Sequence, residues 1–107
     1  MAELHPLDAL FETILARKGA DPTTSYTAKL YSQGVVKIAK KLGEESVETA
    51  LAAVAEGKDE LVSESGDLLY HLLVLWAACG VAPKDVYRAL EARTQRSGLA
   101  EKASRGS

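Results

Sequence analysis

The sequence has one cysteine, Cys79, so neither an intrachain disulfide nor a cysteine-based metal site is available to it. It has no long apolar run. The longest extends from Leu72 to Cys79, well short of the roughly 20 residues that cross a bilayer. The opening residues, Met1-Ala2-Glu3-Leu4-His5-Pro6, place no basic region before an apolar stretch, so no secretory signal is expected. It also lacks a basic excess. Lys and Arg number 13 against 15 Asp and Glu, a net charge of −2, which argues against a general nucleic-acid binder. No segment alternates with period two, so no sheet is expected. There is no internal repeat and no low-complexity run, and no Gly-x-x-x-x-Gly-Lys loop, Gly-x-Ser-x-Gly elbow or His-Glu-x-x-His motif.

What remains is ordinary globular composition, 47% apolar and 26% charged in 107 residues. That reads as one soluble domain over 1–98, cytoplasmic and not membrane-bound, with 99–107 a flexible tail. A domain this small buries only about 60–70% of its unfolded surface, so association with a second copy is a natural way to bury more. Charge is uneven. Residues 35–80 carry 4 basic and 8 acidic side chains, whereas 81–107 carry 6 basic and 3 acidic.

The apolar spacing is helical throughout. Leu4, Leu7, Leu10, Phe11, Ile14 and Leu15 recur at three- and four-residue intervals, with Pro6 in a first turn and Gly19 as the stop. Ala20 to Ser25 reads as a loop, and Ser25 can cap a short helix over Tyr26 to Gln33 that ends at Gly34. A long helix is expected from Val35 to Glu56, with Val35, Ile38, Ala39, Leu42, Ala50 and Ala53 as its buried stripe and Gly43 permitting a close approach. Gly57 breaks it. A second long helix is expected from Lys58 to Cys79, with Leu61, Leu68, Leu72 and Leu75 on one face and Leu69, Leu73 and Trp76 widening it. Gly80 ends it, and Pro83 opens a last helix to about Arg96. Cys79 and Trp76 read as core or interface filling. The fold class is all-α: a helical bundle built on one long antiparallel hairpin.

The chemistry is in the acids. Glu44, Glu45 and Glu48 lie on the first long helix, Glu64 and Asp67 on the second. Glu45/Glu48 and Glu64/Asp67 are each spaced i, i+3, which stacks both side chains of a pair on one face. In an antiparallel hairpin turning at Glu56-Gly57, Glu45 pairs in height with Asp67 and Glu48 with Glu64. Glu45 and Glu64 also fall on their helices' core stripes, with Glu48 and Asp67 at the margins. Carboxylates facing a core are costly unless something pairs with them. An all-oxygen set on two helices suits a hard divalent cation, Mg²⁺ first and Mn²⁺ as a substitute. Mg²⁺ keeps waters and binds phosphates, so such a site suits a phosphorylated substrate. His71, one turn after Asp67, is open to three roles: orienting a ligand, contacting phosphate, or sitting hydrogen-bonded at the core edge. The last is the simplest. Absence of Glu-x-x-His pairs disfavours a di-iron bundle.

The segments Lys40-Lys41-Leu42-Gly43-Glu44-Glu45-Ser46-Val47-Glu48 and Glu64-Ser65-Gly66-Asp67-Leu68-Leu69-Tyr70-His71-Leu72-Leu73 resemble the all-α nucleotide pyrophosphohydrolases of the MazG type. Their shared motif is Glu-Glu-x-x-Glu followed by Glu-x-x-Asp. Adding Ser25-Tyr26-Thr27-Ala28-Lys29-Leu30, the chain is most similar to the phosphoribosyl-ATP pyrophosphohydrolases of histidine biosynthesis, over roughly Leu7 to Ser97. The resemblance implies hydrolysis of phosphoribosyl-ATP to phosphoribosyl-AMP and pyrophosphate, a Mg²⁺ requirement and a homodimer. It also implies a stand-alone form without the cyclohydrolase domain found fused to this activity elsewhere. Mg²⁺ would be held by Glu45, Glu48, Glu64 and Asp67. Glu44 or Glu48 would orient or deprotonate the attacking water, and the spacing does not choose between them. Lys40, Lys41, Arg93 and Arg96 are candidates for phosphate contacts, the arginines from the neighbouring subunit. Ser25, Tyr26 and Lys29 are candidates for lining the substrate site, as is His71. Two other readings stand beside this one: a house-cleaning hydrolase of free nucleoside triphosphates with the same chemistry, and a non-enzymatic helical module whose acids face a partner.

Overall fold

Two local devices set the path of the chain before it reaches the hairpin. In the computed structural model, which describes residues 4–94, Asp21 closes the first loop by accepting from the Thr23 backbone N–H at 2.9 Å and the Thr23 hydroxyl at 2.7 Å. Ser25 then caps the following helix, its Oγ accepting from Ala28 N–H at 3.1 Å. The described residues form α1 (Pro6–Ala16), α2 (Tyr26–Gln33), α3 (Val35–Ala55), α4 (Lys58–Cys79) and α5 (Pro83–Thr94), with no strand among them. The tail 99–107 and Arg96 lie outside the described residues.

Gly34, at φ 89°, ends α2 and begins α3 in one residue. Gly80 ends α4 at φ 74°, ψ 24°, with Gly80 N–H bonded to Ala77 O and Val81 N–H to Trp76 O. This is the left-handed termination that glycine performs without a Cβ penalty. Gly80→Ala is expected to cost about 1 kcal/mol of folding free energy in a urea melt. Gly43 differs from expectation: a Cβ there would meet nothing within 4 Å, so no element approaches it closely. Gly43→Ala should add up to about 1 kcal/mol, read in the same melt.

The α3–α4 hairpin is the most extensive packing in the molecule, and α1 and α2 lie against one end of it. Phe11, Ile14, Leu30, Ile38, Leu73, Val74 and Ala77 form the core there. Lys18 donates from Nζ to Ala77 O at 2.9 Å, a cation at a helix C-terminus, and Tyr31 donates to Ile14 O at 2.9 Å. Tyr87 on α5 donates to Asp8 on α1 at 2.9 Å. Trp76 packs against the core, whereas Cys79 is exposed. Leu4 and Leu15, expected on the buried face of α1, are exposed.

The buried stripe of α3 differs from the one its apolar residues suggested. Val35, Ala39, Ala50 and Ala53 are exposed. The inward positions are Ile38, Leu42, Glu45, Thr49 and Ala52, at alternating four- and three-residue steps. The helix is apolar on two faces, and the inward one also carries Glu45 and Thr49. The far half of the hairpin receives no cover from the core, leaving Val47, Leu51 and Val54 on α3 and Val62 and Leu69 on α4 exposed. The radius of gyration, 16.0 Å, exceeds the roughly 13 Å of a compact chain this long. No single described helix is long and apolar enough to cross a membrane; α4 and α5 pass that test only jointly, across a 111° bend.

Candidate functional site

Glu45 and Glu64 face each other because the hairpin register puts them there. Carboxylate oxygens of Glu45, Glu48 and Glu64 all lie within 4.8 Å of one another. Glu45 and Glu64 are half-buried and Glu48 is exposed at the rim. One oxygen of each inward residue, Glu45 Oε2 and Glu64 Oε2, is buried without a hydrogen-bond partner. Buried acceptors are normally satisfied, so two orphaned carboxylate oxygens at one spot describe a cradle for a positive charge.

The electrostatics agree. Burial pushes the Glu45 carboxyl above its ordinary value, and the Glu48 charge raises it further; His71 opposes this, and Asp67 adds to it. Burial likewise raises Glu64, followed by the charges of Glu48 and Asp67. Asp67 therefore acts on both inward acids while standing outside the three-residue 4.8 Å group. The donor set is oxygen only and carries no nearby lysine or arginine partner. The one ion pair among the described residues, Lys41 to Glu44 at 3.8 Å, lies on the exposed face of α3. These residues fit a hard divalent cation.

His71 is buried behind the acids, at 6% exposure the one buried polar residue in the described chain. Its Nδ1 lies 2.8 Å from Asp67 O. A carbonyl only accepts, so Nδ1 carries the proton and the imidazole orientation is fixed. The ring meets Tyr70 edge-on at 5.1 Å and Tyr26 at 6.2 Å, and Tyr26 stacks on Tyr70 at 6.3 Å. Tyr70 and Thr27 share a hydroxyl–hydroxyl hydrogen bond. Pro22, Thr23, Thr24, Ser25, Tyr26 and Lys29 line an open hollow at the start of α2.

The comparisons with known proteins agree on one family. Residues 7–94 match the model of the phosphoribosyl-ATP pyrophosphohydrolases. A phosphoribosyl-ATP pyrophosphatase of Paramagnetospirillum magneticum is 61% identical over 99 residues, covering 92% of this chain and 91% of the relative. One from Parvibaculum lavamentivorans is 60% identical over 105 residues, 98% of this chain and 96% of the relative. One from Azospirillum brasilense is 56% identical over 101 residues, 94% and 91%. The chain belongs to the phosphoribosyl-ATP pyrophosphohydrolase family.

Among the residues that the sequence singled out, this pyrophosphohydrolase-family fold brings Glu45, Glu48 and Glu64 together, with Asp67 beside them. His71, Tyr26, Ser25 and Lys29 gather on the α2 side of the hairpin. Glu44 is turned to Lys41 and stands outside the group. Lys40 is exposed. Arg93 is on α5, which packs on α1 at the core end, and no ion pair among the described residues joins it to the acids. Sequence reasoning passed over Thr49 and Tyr70. Thr49 donates toward Glu45 O at 2.8 Å and Glu64 O at 3.1 Å, between the two inward acids. Its position midway along the Ile38–Ala52 inward stripe was the available signal.

Proposed function

We propose that this chain, a pyrophosphohydrolase by family, hydrolyses phosphoribosyl-ATP to phosphoribosyl-AMP and pyrophosphate in histidine biosynthesis, with a divalent cation held by Glu45, Glu48, Glu64 and Asp67. The observation that carries the reading is the pair of buried, unpartnered oxygens on Glu45 and Glu64 within a carboxylate cluster, in a chain of this family. Mg²⁺ is the first choice and Mn²⁺ a substitute; bound there, the cation supplies charge that offsets the carboxylates and polarises phosphoryl oxygens.

The chain's own groups do the rest. Glu48, exposed at the rim of the cluster, would orient a water and accept its proton. Glu44 is the weaker candidate, because Lys41 engages it. The water oxygen bonds to phosphorus, the anhydride bond between the α- and β-phosphates breaks, and pyrophosphate leaves. Ser25, Tyr26 and Lys29, which line the hollow at the start of α2, would line the substrate site, with the exposed Lys40 and the half-buried Lys41 as candidates for phosphate contacts. Arg93 is on the opposite elements of its own chain, so it contributes to phosphate binding through a second copy. The apolar residues left bare on the hairpin are what such a homodimer would cover. The cytoplasm is the compartment that fits a biosynthetic hydrolase of this kind.

The test is pyrophosphate release from phosphoribosyl-ATP and from a panel of nucleoside triphosphates, with Mg²⁺ and with a chelator. Release from phosphoribosyl-ATP that stops on chelation is expected. Turnover of free triphosphates with none of phosphoribosyl-ATP would move the assignment to a house-cleaning enzyme. Calorimetry that finds no Mg²⁺ or Mn²⁺ binding, with or without nucleotide, would leave a non-enzymatic module.

A further inference from the structure

The two inward acids are on different helices, and a site built that way is only as accurate as the spacing between the helices. Ligands need placing to within about 0.5 Å of their working positions. Thr49 is the one residue whose side chain spans that gap at this level. Its hydroxyl lies 2.8 Å from Glu45 O in its own helix and 3.1 Å from Glu64 O across the hairpin. These are the backbone carbonyls of the two residues whose side chains carry the orphaned oxygens. One hydroxyl proton is shared between both acceptors.

A threonine bonding the carbonyl four residues back is common in helices and carries no message by itself. Ser46 does that here, donating to Leu42 O at 2.9 Å from an exposed position. Thr49 differs in its second acceptor. Glu64 O is on the facing helix, half-buried at the acid level, and no local preference of threonine accounts for that contact.

We propose that Thr49 is a positioning residue of the acid site, its hydroxyl clamping the backbones of Glu45 and Glu64 so that their carboxylates hold one divalent cation. The inference rests on the cation reading given above. Removing the hydroxyl leaves the Glu64 carbonyl with only its helical partner at this point and lets α3 and α4 slide or part by fractions of an ångström. The acids stay in the chain, but their spacing is no longer held.

The experiment is Mn²⁺ binding by electron paramagnetic resonance on the full chain, alongside circular dichroism of the metal-free protein. Thr49→Val keeps the branched shape without the hydroxyl. Thr49→Ala removes the same hydroxyl and serves where valine perturbs folding. Thr49→Ser retains the hydroxyl, and Ser46→Ala removes a hydroxyl that reaches one helix alone. We expect Mn²⁺ to bind about tenfold or more weakly to Thr49→Val and Thr49→Ala, the scale of lost support behind a ligand. Thr49→Ser and Ser46→Ala should bind like the parent, and all four should keep parental helicity. Parental affinity in Thr49→Val and Thr49→Ala overturns the proposal, and so does a Thr49→Ser variant as weak as Thr49→Val. If the parent itself binds no Mn²⁺, the cation reading falls and takes this inference with it, an outcome distinct from a parent that binds and a Thr49→Val that binds equally well.

Discussion

Glu45→Gln is expected to lower kcat/KM for phosphoribosyl-ATP by about 10²–10³-fold, roughly 3–4 kcal/mol of transition-state stabilisation, while leaving the helical fold intact. The substitution keeps the shape and removes the charge. Glu45 is the inward acid of α3, with one oxygen buried and unpartnered, and in the cation reading proposed above its negative charge is what the substitution takes away. Stability should move the opposite way in the absence of metal. The Glu45 carboxyl is raised above its ordinary value of 4.5 by burial and then by Glu48. A carboxyl raised in the folded state is free of penalty below its unfolded value. Its ionisation then costs stability as pH rises through the folded value. At pH 7 the ionised Glu45 therefore weighs against the metal-free fold. Metal-free Glu45→Gln should melt higher than the parent at pH 7, and the difference should close as pH falls toward 4.

Added Mg²⁺ should reverse that order. A ligand at about 100 times its dissociation constant stabilises the fold by about 2.7 kcal/mol, and the variant forfeits most of this. Thermal melts at pH 7 with and without Mg²⁺ check both halves in one experiment. A variant that is more stable than the parent under both conditions, and still active, would remove Glu45 from the site.

The hairpin was legible because helix breaks are written in the chain itself. Gly57 and Gly80 bracket α4, Ser25 caps α2, and the turn at Glu56-Gly57 sets the levels at which the i, i+3 acids of the two helices meet. The inward face of α3 was less legible. Hydrophobic spacing finds the apolar side of a helix, and this helix has two. Ala50 and Ala53 mark one that faces outward, while Glu45 and Thr49 occupy the inward one. A rule that puts apolar residues inside fails where function puts polar ones there. Thr49 was missed for the related reason that threonine in a helix has no pattern of its own. Its second hydrogen bond exists only once α4 is in place. Arg93 shows a third limit. The chain's basic end is visible in the sequence, but where Arg93 is placed depends on the element that α5 packs against, and within one chain that is α1.

Leu51→Glu is expected to convert the homodimer proposed above to a species of 11.4 kDa and to weaken association by at least about 100-fold. Val47, Leu51 and Val54 recur at four and three residues along α3, and they are 59%, 57% and 86% exposed. That spacing is a buried stripe by any helical rule, yet nothing among the described residues covers it. Val62 and Leu69 extend the bare surface across α4. Burying a Val or Leu side chain is worth about 1.5–3 kcal/mol, and two-fold symmetry counts each residue twice. A charge at Leu51 meets the equivalent charge of the partner or its apolar stripe, so both arms of the symmetric contact are lost. Sedimentation of the parent and Leu51→Glu over a concentration series reads the mass directly. Subunit mixing then asks whether the arginine acts in trans. Glu45→Gln and Arg93→Ala homodimers should each be weak. A mixed dimer restores one complete site only if acids and arginine come from different chains. Mixing should then recover about a quarter of parental activity. Recovery of none, with exchange verified by mass, would place Arg93 outside the neighbour's site and leave the hairpin surface as a purely structural contact.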